Sequence, residues 1–467
     1  MSIDYYTYMY KIDFSKPVRV HFIGIGGISM SGLAHILLGA GFTVSGSDRA
    51  SSELTKKLES EGALISYGQT PGNITPDIKL VVYSAAIRED NPEYARAKEL
   101  SIPMLSRAEL LGQIMKNYEI SIAVAGTHGK TTTTSMITSV FLKADADPTV
   151  SVGGILPAIG GNIRVGRSGY FITEACEYTN SFLSFFPDIS IILNIDEDHL
   201  DFFKDLDDIR ASFKKFADLL PERGLLVINA GIDDMCQITK DVRCPVLTVS
   251  AKSEADVTAR NISYDDRGCA VFDITAGKEE IAGVHLSVPG AHNVENALAA
   301  AAVCLHLGMD AEVIREGLSA YTGTDRRFEY KGTIGKVTII DDYAHHPTEI
   351  AATLAAAANY PHEKLWVVFQ PHTYTRTKAL FDEFAKALSA ADHVLLADIY
   401  AAREVDDLGI SSADLCEAVK SYGTLADYFG SFDEIENYVL QNCSPGDLLI
   451  TMGAGDIVKV ADHLVGK

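Results

Sequence analysis

Residues 124–134 read Val-Ala-Gly-Thr-His-Gly-Lys-Thr-Thr-Thr-Thr and follow the apolar run 120–124. A strand, a glycine turn and a Lys-Thr pair opening a helix are the three parts that triphosphate binding needs. Gly126 and Gly129 let backbone N–H groups turn toward phosphate oxygens. Lys130 adds a point charge at the β/γ-phosphates, the Thr131 hydroxyl suits Mg²⁺, and the helix N-terminus favours an anion. The usual P-loop would put its first glycine at Val124, so this loop is a variant. An ordinary Gly-Thr turn is the competing reading.

A second glycine loop lies at 21–32, His-Phe-Ile-Gly-Ile-Gly-Gly-Ile-Ser-Met-Ser-Gly. Gly24 and Gly26 fit the first two places of GxGxxG, and Ser29 stands at the third. Asp48 ends the next strand, about where a ribose-binding acid is expected. A nicotinamide dinucleotide, a nucleotide-diphosphate sugar and a bare turn all satisfy this loop. Beside a phosphotransfer loop at Lys130, it points to an ATP-driven enzyme acting on a nucleotide-linked substrate.

Other candidates cluster at strand ends. A strand ending in Glu174 would set a carboxylate beside the phosphate loop as an Mg²⁺ ligand, with Thr131. Glu177 reads as a loop residue facing solvent or substrate. In 194–201, Asn-Ile-Asp-Glu-Asp-His-Leu-Asp, His199 offers a ring nitrogen to a second metal or is satisfied by a neighbouring Asp. His292, Asn293 and Asn296 open an alanine-rich helix. Their amides and flat ring suit adenine, and a capping Asn explains them equally well. Arg326 and Arg327 would clamp phosphate at a hinge or form surface ion pairs. In 341–349, Asp-Asp-Tyr-Ala-His-His-Pro-Thr-Glu, Pro347 suits the first helical turn and leaves His345 and His346 at the loop apex. The stretches 369–377 and 453–457 repeat this strand-end pattern. GxSxG is absent, which argues against a serine nucleophile elbow.

The elements that position these residues are apolar, β-branched runs at 18–23, 80–83, 120–124, 189–193, 225–228, 365–369, 393–397 and 448–451, each followed by a helix-like stretch. Such alternation implies an α/β fold with parallel sheets covered on both faces. Three blocks separate at 1–118, 119–324 and 325–467, and 240–290 alternates as a small antiparallel excursion would. With 467 residues and 47% hydrophobic content, each block has enough chain for its own core. A net charge of −23 argues against a nucleic-acid partner. No apolar stretch reaches the roughly 20 residues a membrane span needs, and the N-terminus lacks a signal-peptide pattern. Seven scattered cysteines without CxxC fit reduced thiols in a cytoplasmic protein.

Taken together, nine ordered motifs resemble the Mur ligase family, and its alanine-adding branch most. They are GIGGISMSG at 24–32, GTHGKTTTT at 126–134, EACEYTNSF at 174–182, NIDEDHLD at 194–201, GAHNVENALAA at 290–300, DRRFEYKG at 325–332, DDYAHHPTEI at 341–350, FQPHTYTRT at 369–377 and GAGDI at 453–457. The resemblance implies a Rossmann-like UDP-sugar domain, a central P-loop-type ATPase domain with a mostly parallel sheet, and a Rossmann-like C-terminal domain that brings the amino acid. It implies ATP-dependent ligation of L-alanine to UDP-N-acetylmuramate through an acyl phosphate, with Mg²⁺, by a cytoplasmic monomer or weak homodimer that engages neither nucleic acid nor membrane. Carried over by motif, Gly24, Gly26, Gly27, Ser29 and Asp48 would hold the UDP moiety, with Ser84 and Ala85 nearby. Gly126, Thr127, His128, Gly129, Lys130, Thr131 and Thr132 would bind ATP, joined by His292, Asn293, Asn296, Arg327 and Asp342. Lys130, Glu174 and His199 would be catalytic, with Thr131, Glu174 and His199 at metal. Tyr343, His345, His372 and Arg376 would surround the amino acid. Some relatives carry a carbamylated lysine; none is assigned to Lys214, since the alanine-adding branch usually has an aromatic there, a place Phe213 fills.

A nicotinamide-dependent oxidoreductase would leave Lys130 and Glu174 unexplained, and an inactive nucleotide-binding scaffold would not depend on Lys130. A ligase that adds a preformed peptide would need more room beside Tyr343 and Arg376.

Overall fold

The computed structural model describes residues 10–402, 404–406 and 408–467; residues 1–9, part of the N-terminal segment read above, lie outside the described residues. Three sheets follow one another along the chain. The first comprises β1 (Arg19–Ile23), β2 (Thr43–Asp48), β3 (Leu64–Tyr67), β4 (Leu80–Tyr83) and β5 (Met104–Ser106) in the order β3-β2-β1-β4-β5, all parallel. β1 and β4 bury nearly every residue, as strands covered on both faces must. Strand order reverses between β1 and β4, so the loops that leave them face one crevice.

The second sheet holds β6 (Ile120–Ala125), β7 (Thr149–Leu156), β8 (Gly161–Arg164), β9 (Tyr170–Glu174), β10 (Ile189–Ile192), β11 (Leu225–Asn229), β12 (Val246–Ser250), β13 (Val257–Tyr264), β14 (Cys269–Ala276) and β15 (Glu279–Pro289). Their order is β15-β14-β13-β12-β11-β10-β6-β9-β7-β8. β6 lies between β10 and β9, both parallel to it, so their carboxyl ends share one edge. The antiparallel excursion expected at 240–290 is β13–β15.

The third sheet holds β16 (Glu329–Ile334), β17 (Val337–Asp342), β18 (Leu365–Phe369), β19 (His393–Leu396), β20 (Leu425–Tyr428) and β21 (Leu448–Met452) in the order β16-β17-β21-β18-β19-β20. Among the described residues of this sheet, only the β16–β17 hairpin is antiparallel.

One apolar cluster runs from Val20 and Leu33 under the first sheet, through Leu111 and Ile114, to Phe171, Phe182 and Phe213 under the second. Two glycines permit this docking. A Cβ at Gly32 would overlap Ile163, and one at Gly112 would overlap the Ser184 carbonyl oxygen. Phe213 is fully buried in this cluster, while Lys214 lies on the same helix (Leu206–Ala217) and pairs with Asp218 one turn on.

Candidate active site

The phosphate loop is built by β6 and the helix Lys130–Lys143. Gly126 has φ +143° and Gly129, the N-cap, has φ +85°, values that β-carbon sterics penalise in other residues. The loop is stapled to the chain leaving β10. Thr127 N donates to Asn194 O at 3.2 Å, His128 N to Asn194 Oδ1 at 2.7 Å, and Asn194 Nδ2 back to His128 O at 3.0 Å. The Lys130 ammonium curls over the loop and donates to Thr127 O at 3.0 Å and Glu177 Oε2 at 3.0 Å. Burial alone would favour neutral lysine; the Glu177 carboxylate outweighs it and raises the Lys130 pKa.

Glu177 was expected to face solvent or substrate. It does not face solvent, being only 2% exposed; the chain turns sharply just after it at Thr179 and Asn180, both at positive φ, and its carboxylate lies on Lys130. Glu177 Oε1 also lies 3.7 Å from His199 Nε2. His199 itself has φ +54°, stacks on Tyr178 with centroids 4.5 Å apart, and lies 3.8 Å from Asp198 Oδ2.

Glu174 ends β9 beside Val124, and its Oε1 accepts the Gly153 N–H. The Thr131 hydroxyl and the Glu174 carboxylate are hard oxygen donors at one sheet edge, a set whose chemistry fits Mg²⁺. A different group has the mutual spacing of metal ligands. The ligating atoms of His128, Asp196 and His346 lie within 4.8 Å of one another. Its hydrogen bonds suit a charged contact better. His346 Nε2 donates to Glu197 O at 2.9 Å and its Nδ1 accepts from Thr348 N at 3.3 Å, which commits both ring nitrogens. His128 lies between Glu349 Oε1 at 3.1 Å and Asp196 Oδ2 at 3.4 Å. Burial would depress its pKa, and these two carboxylates raise it to about 9.

A cavity of about 290 Å³ joins this loop to the third sheet, lined by Thr132, Asn293, Asn296, Arg327, Asp342 and Glu349 among others. The capping-Asn reading does not hold. The helix His292–His306 has Ala291 as N-cap, so both asparagines lie inside its first turns. Asn293 Nδ2 donates to Pro289 O at 2.7 Å, Asn296 Nδ2 to Asn293 Oδ1 at 3.0 Å, and Thr133 Oγ1 to Asn296 Oδ1 at 3.2 Å. His292 stays exposed at the mouth.

The expected Arg pair divides. Arg326 is taken up by Asp341 Oδ2 at 3.0 Å and by the carbonyls of Gly453 and Gly455. Arg327 faces the cavity, 3.8 Å from Glu349 Oε1. Asp342 accepts N–H groups from Phe328 and Ala344, and burial raises its pKa to about 6. His345 and His346 do not share a loop apex, because His346 is the N-cap of Pro347–Ala357. His345 Nδ1 lies 3.0 Å from Tyr343 O, and burial lowers its pKa to about 3. The Tyr343 ring lies under both arginines, 4.8 Å from Arg326 Cζ and 5.2 Å from Arg327 Cζ.

A second cavity, about 370 Å³, lies between residues 197–201 and 372–380. Arg376 crosses it, donating from Nε at 3.0 Å and Nη2 at 2.8 Å to Asp198 Oδ1. His372 stacks on Tyr400 at 5.5 Å. Thr373 has φ +68°, and the turn is held by Glu404, whose Oε2 accepts from Tyr374 N and Thr375 N.

At the first loop, Gly24 has φ +81° and sits beside Ser84 across the β1–β4 crevice, with Ala85 exposed next to it. Gly27 is the N-cap of Ile28–Gly39, and Gly27 and Ser29 are exposed at that helix start. Asp48 closes the loop from below: Oδ2 accepts Gly26 N at 2.7 Å and Oδ1 accepts Arg49 N at 2.7 Å.

Sequence reasoning assigned no role to Asp196, Asp198 or Glu349, and it placed His346 in the loop without its bonds to Glu197 and Thr348. Pro347 was the available signal for Glu349. It fixes the helix start, which puts the residue two places on in the first turn, beside the loop.

Family models match three consecutive stretches: "Mur ligase family, catalytic domain" at 19–119, "Mur ligase middle domain" at 124–304 and "Mur ligase, glutamate ligase domain" at 326–455. The chain is 60% identical to the UDP-N-acetylmuramate–L-alanine ligase of Lachnospira eligens, over 98% of this chain and all of that one. The enzyme of the same name from Agathobacter rectalis is 59% identical, over 98% of this chain and 100% of that one. Among solved structures, the UDP-N-acetylmuramate-alanine ligase of Thermotoga maritima superposes with TM-score 0.79 at 31% identity, covering 96% of this chain and 98% of that one. A murein peptide ligase from Psychrobacter arcticus superposes with TM-score 0.69 at 26% identity, over 96% of this chain and 98% of that one.

Proposed function

The chain belongs to the Mur ligase family, and we propose that it joins L-alanine to the carboxylate of UDP-N-acetylmuramate at the expense of ATP. The observation that carries this reading is the half-buried Lys130 ammonium at a helix N-terminus, next to a cavity lined by Asp342 of the third sheet and by Arg327 just before it.

A carboxylate resists a neutral amine because its negative charge repels the nucleophile and oxide is a poor leaving group. Transfer of the γ-phosphoryl group to a carboxylate oxygen gives an acyl phosphate and ADP. The amine of L-alanine then attacks the acyl carbon, and the tetrahedral adduct expels phosphate to leave the amide. The site's task is to hold two anions together while charge moves between them. Lys130 and the N–H groups of residues 126–132 are assigned to the phosphates, with Arg327 from the third domain. Asn293, Asn296 and His292 are assigned to adenine and Asp342 to ribose. Thr131 and Glu174 would hold Mg²⁺, with His199 at the same edge, and the ion supplies charge neutralisation when bound.

The crevice of Gly24, Gly26, Gly27, Ser29 and Ser84 is assigned to the UDP moiety. Asp48 acts there by fixing the loop. The acceptor is assigned to the cavity of Arg376 and His372, to which His345 connects through its ring contact with His372 and Tyr343 through its ring contact with His345. On this reading the domains are 1–118, 119–324 and 325–467. No helix among the described residues is long and apolar enough to cross a membrane, and both nucleotide substrates assign the reaction to the cytoplasm.

The test offers ATP, Mg²⁺ and UDP-N-acetylmuramate with either L-alanine or a preformed tripeptide and measures phosphate release. Release with L-alanine is expected. Release with the tripeptide alone would replace this reading with that of a peptide-adding ligase.

A further inference from the structure

We propose that Glu349 is a positioning residue that couples nucleotide occupancy to capture of the amino acid, an inference that rests on the ligase reading above. Glu349 lies in the first turn of the helix Pro347–Ala357, with its side chain 12% exposed. Its two oxygens serve different sites. Oε1 faces the nucleotide side, 3.1 Å from His128 Nδ1 on the phosphate loop and 3.8 Å from Arg327 Nη1. Oε2 faces the acceptor side, where it accepts the His345 N–H at 3.1 Å and lies 3.3 Å from His345 Nδ1. The His345 ring in turn lies 6.0 Å from that of His372, which lines the acceptor cavity.

A carboxylate is one rigid plane, so a pull on one oxygen moves the other. Without nucleotide, Glu349 neutralises His128 and Arg327. A triphosphate in the adjoining cavity takes over part of that positive charge and repels the Glu349 carboxylate. Glu349 then settles onto His345 and fixes the loop of Tyr343 and His345 on which the amino acid docks. ATP therefore tightens L-alanine binding, and linkage requires L-alanine to tighten the nucleotide by the same factor.

The experiment titrates a non-hydrolysable ATP analogue calorimetrically, with Mg²⁺ and UDP-N-acetylmuramate present, with and without saturating L-alanine. Wild-type protein is expected to bind the analogue at least about fivefold tighter with L-alanine, within the usual range of coupling factors. Glu349→Gln keeps the shape and loses the charge, and the factor should fall below about twofold, with partial recovery in Glu349→Asp. His128→Asn, which removes one Oε1 partner and leaves Oε2 untouched, should also reduce it and serves if Glu349→Gln does not fold. A wild-type factor near one, or a full factor in either variant, overturns the proposal; so does uniform weakening of the analogue with coupling kept, which marks a merely structural role. Failure of the ligase reading shows separately, as wild-type protein that releases no phosphate with L-alanine.

Discussion

The Glu177 carboxylate stands 3.0 Å from the Lys130 ammonium, and the two side chains are 3% and 16% exposed. The loop thus carries an internal counter-anion where a phosphate oxygen is expected. Lys130→Ala should lower phosphate release by at least about 10²-fold, the scale seen when a transition-state donor is lost. UDP-sugar binding, 24–29 being in another domain, should stay within about twofold. The variant also strands Glu177, at a cost of about 3–5 kcal/mol for a broken buried pair. Lys130→Ala/Glu177→Gln should therefore regain thermal stability and stay inactive, read by melting curves beside turnover. An active Lys130→Ala enzyme sinks the phosphate-loop assignment.

His128 gives a pH dependence with a definite sign. Its pKa in the folded protein is about 9, above the ordinary 6.5. The stabilisation is therefore fully present below about pH 6.5 and is lost as pH rises through 9. Asp196 and Glu349 are both held below the usual carboxylate range, so they remain charged across that window. At about 1.4 kcal/mol per pH unit, the contribution is on the order of 3 kcal/mol. Melting temperatures of wild-type protein should fall between about pH 7 and pH 9.5, with His128→Asn nearly flat over the same interval. Parallel profiles for the two proteins would show that His128 is not charged in the folded state.

How much of this was legible beforehand divides by range. The eight apolar runs were readable because a strand buried on both faces needs continuous hydrophobicity, a local property. The strand, the glycine turn at Gly126 and Gly129 and the helix opening at Lys130 were readable because that arrangement is local too. The burial of Glu177 was not legible because its partner, Lys130, lies 47 residues away in sequence. Asp198 and Glu349 were missed because their partners, Arg376 and His128, are far away in sequence. Arg326 and Arg327 were read as one unit because adjacency hides direction. Arg326 has φ +62°, and the chain bends there so that the two side chains part.

Gly112 tests the joint between the first two domains. Its helix, Arg107–Met115, packs so closely on Tyr178–Ser184 that any β-carbon would overlap the Ser184 carbonyl oxygen. That neighbour is backbone and cannot rotate away. Gly112→Ala gains helix propensity worth up to about 1 kcal/mol, yet overpacking of about 1–3 kcal/mol should outweigh it. A lower melting temperature is expected, together with weaker substrate binding, since the segment it displaces follows Glu177. A stabilised variant would mean that the helix and Ser184 separate readily.

Arg376 and Asp198 pair across the cavity proposed for the acceptor, the first from the chain after β18 and the second from the chain after β10. Burial works against the Asp198 charge, and the Arg376 guanidinium outweighs it and holds the carboxylate below its usual range. Two donors of the guanidinium are spent on one oxygen, Asp198 Oδ1, while Nη1 lies 3.3 Å from His372 Nδ1. On the proposed reading, an incoming amino-acid carboxylate meets a cation already oriented by Asp198. Loss of a charged hydrogen bond costs about 1.5–3 kcal/mol, so Arg376→Ala should raise the KM for L-alanine by roughly 10- to 150-fold. The KM for ATP should change by less than about threefold, because the cavity proposed for the nucleotide is lined by Arg327 instead. Asp198→Asn keeps the guanidinium and frees its orientation, so it should raise the same KM by less. An Asp198→Asn effect larger than that of Arg376→Ala would reverse the order of importance and make the carboxylate, not the guanidinium, the group that meets the substrate.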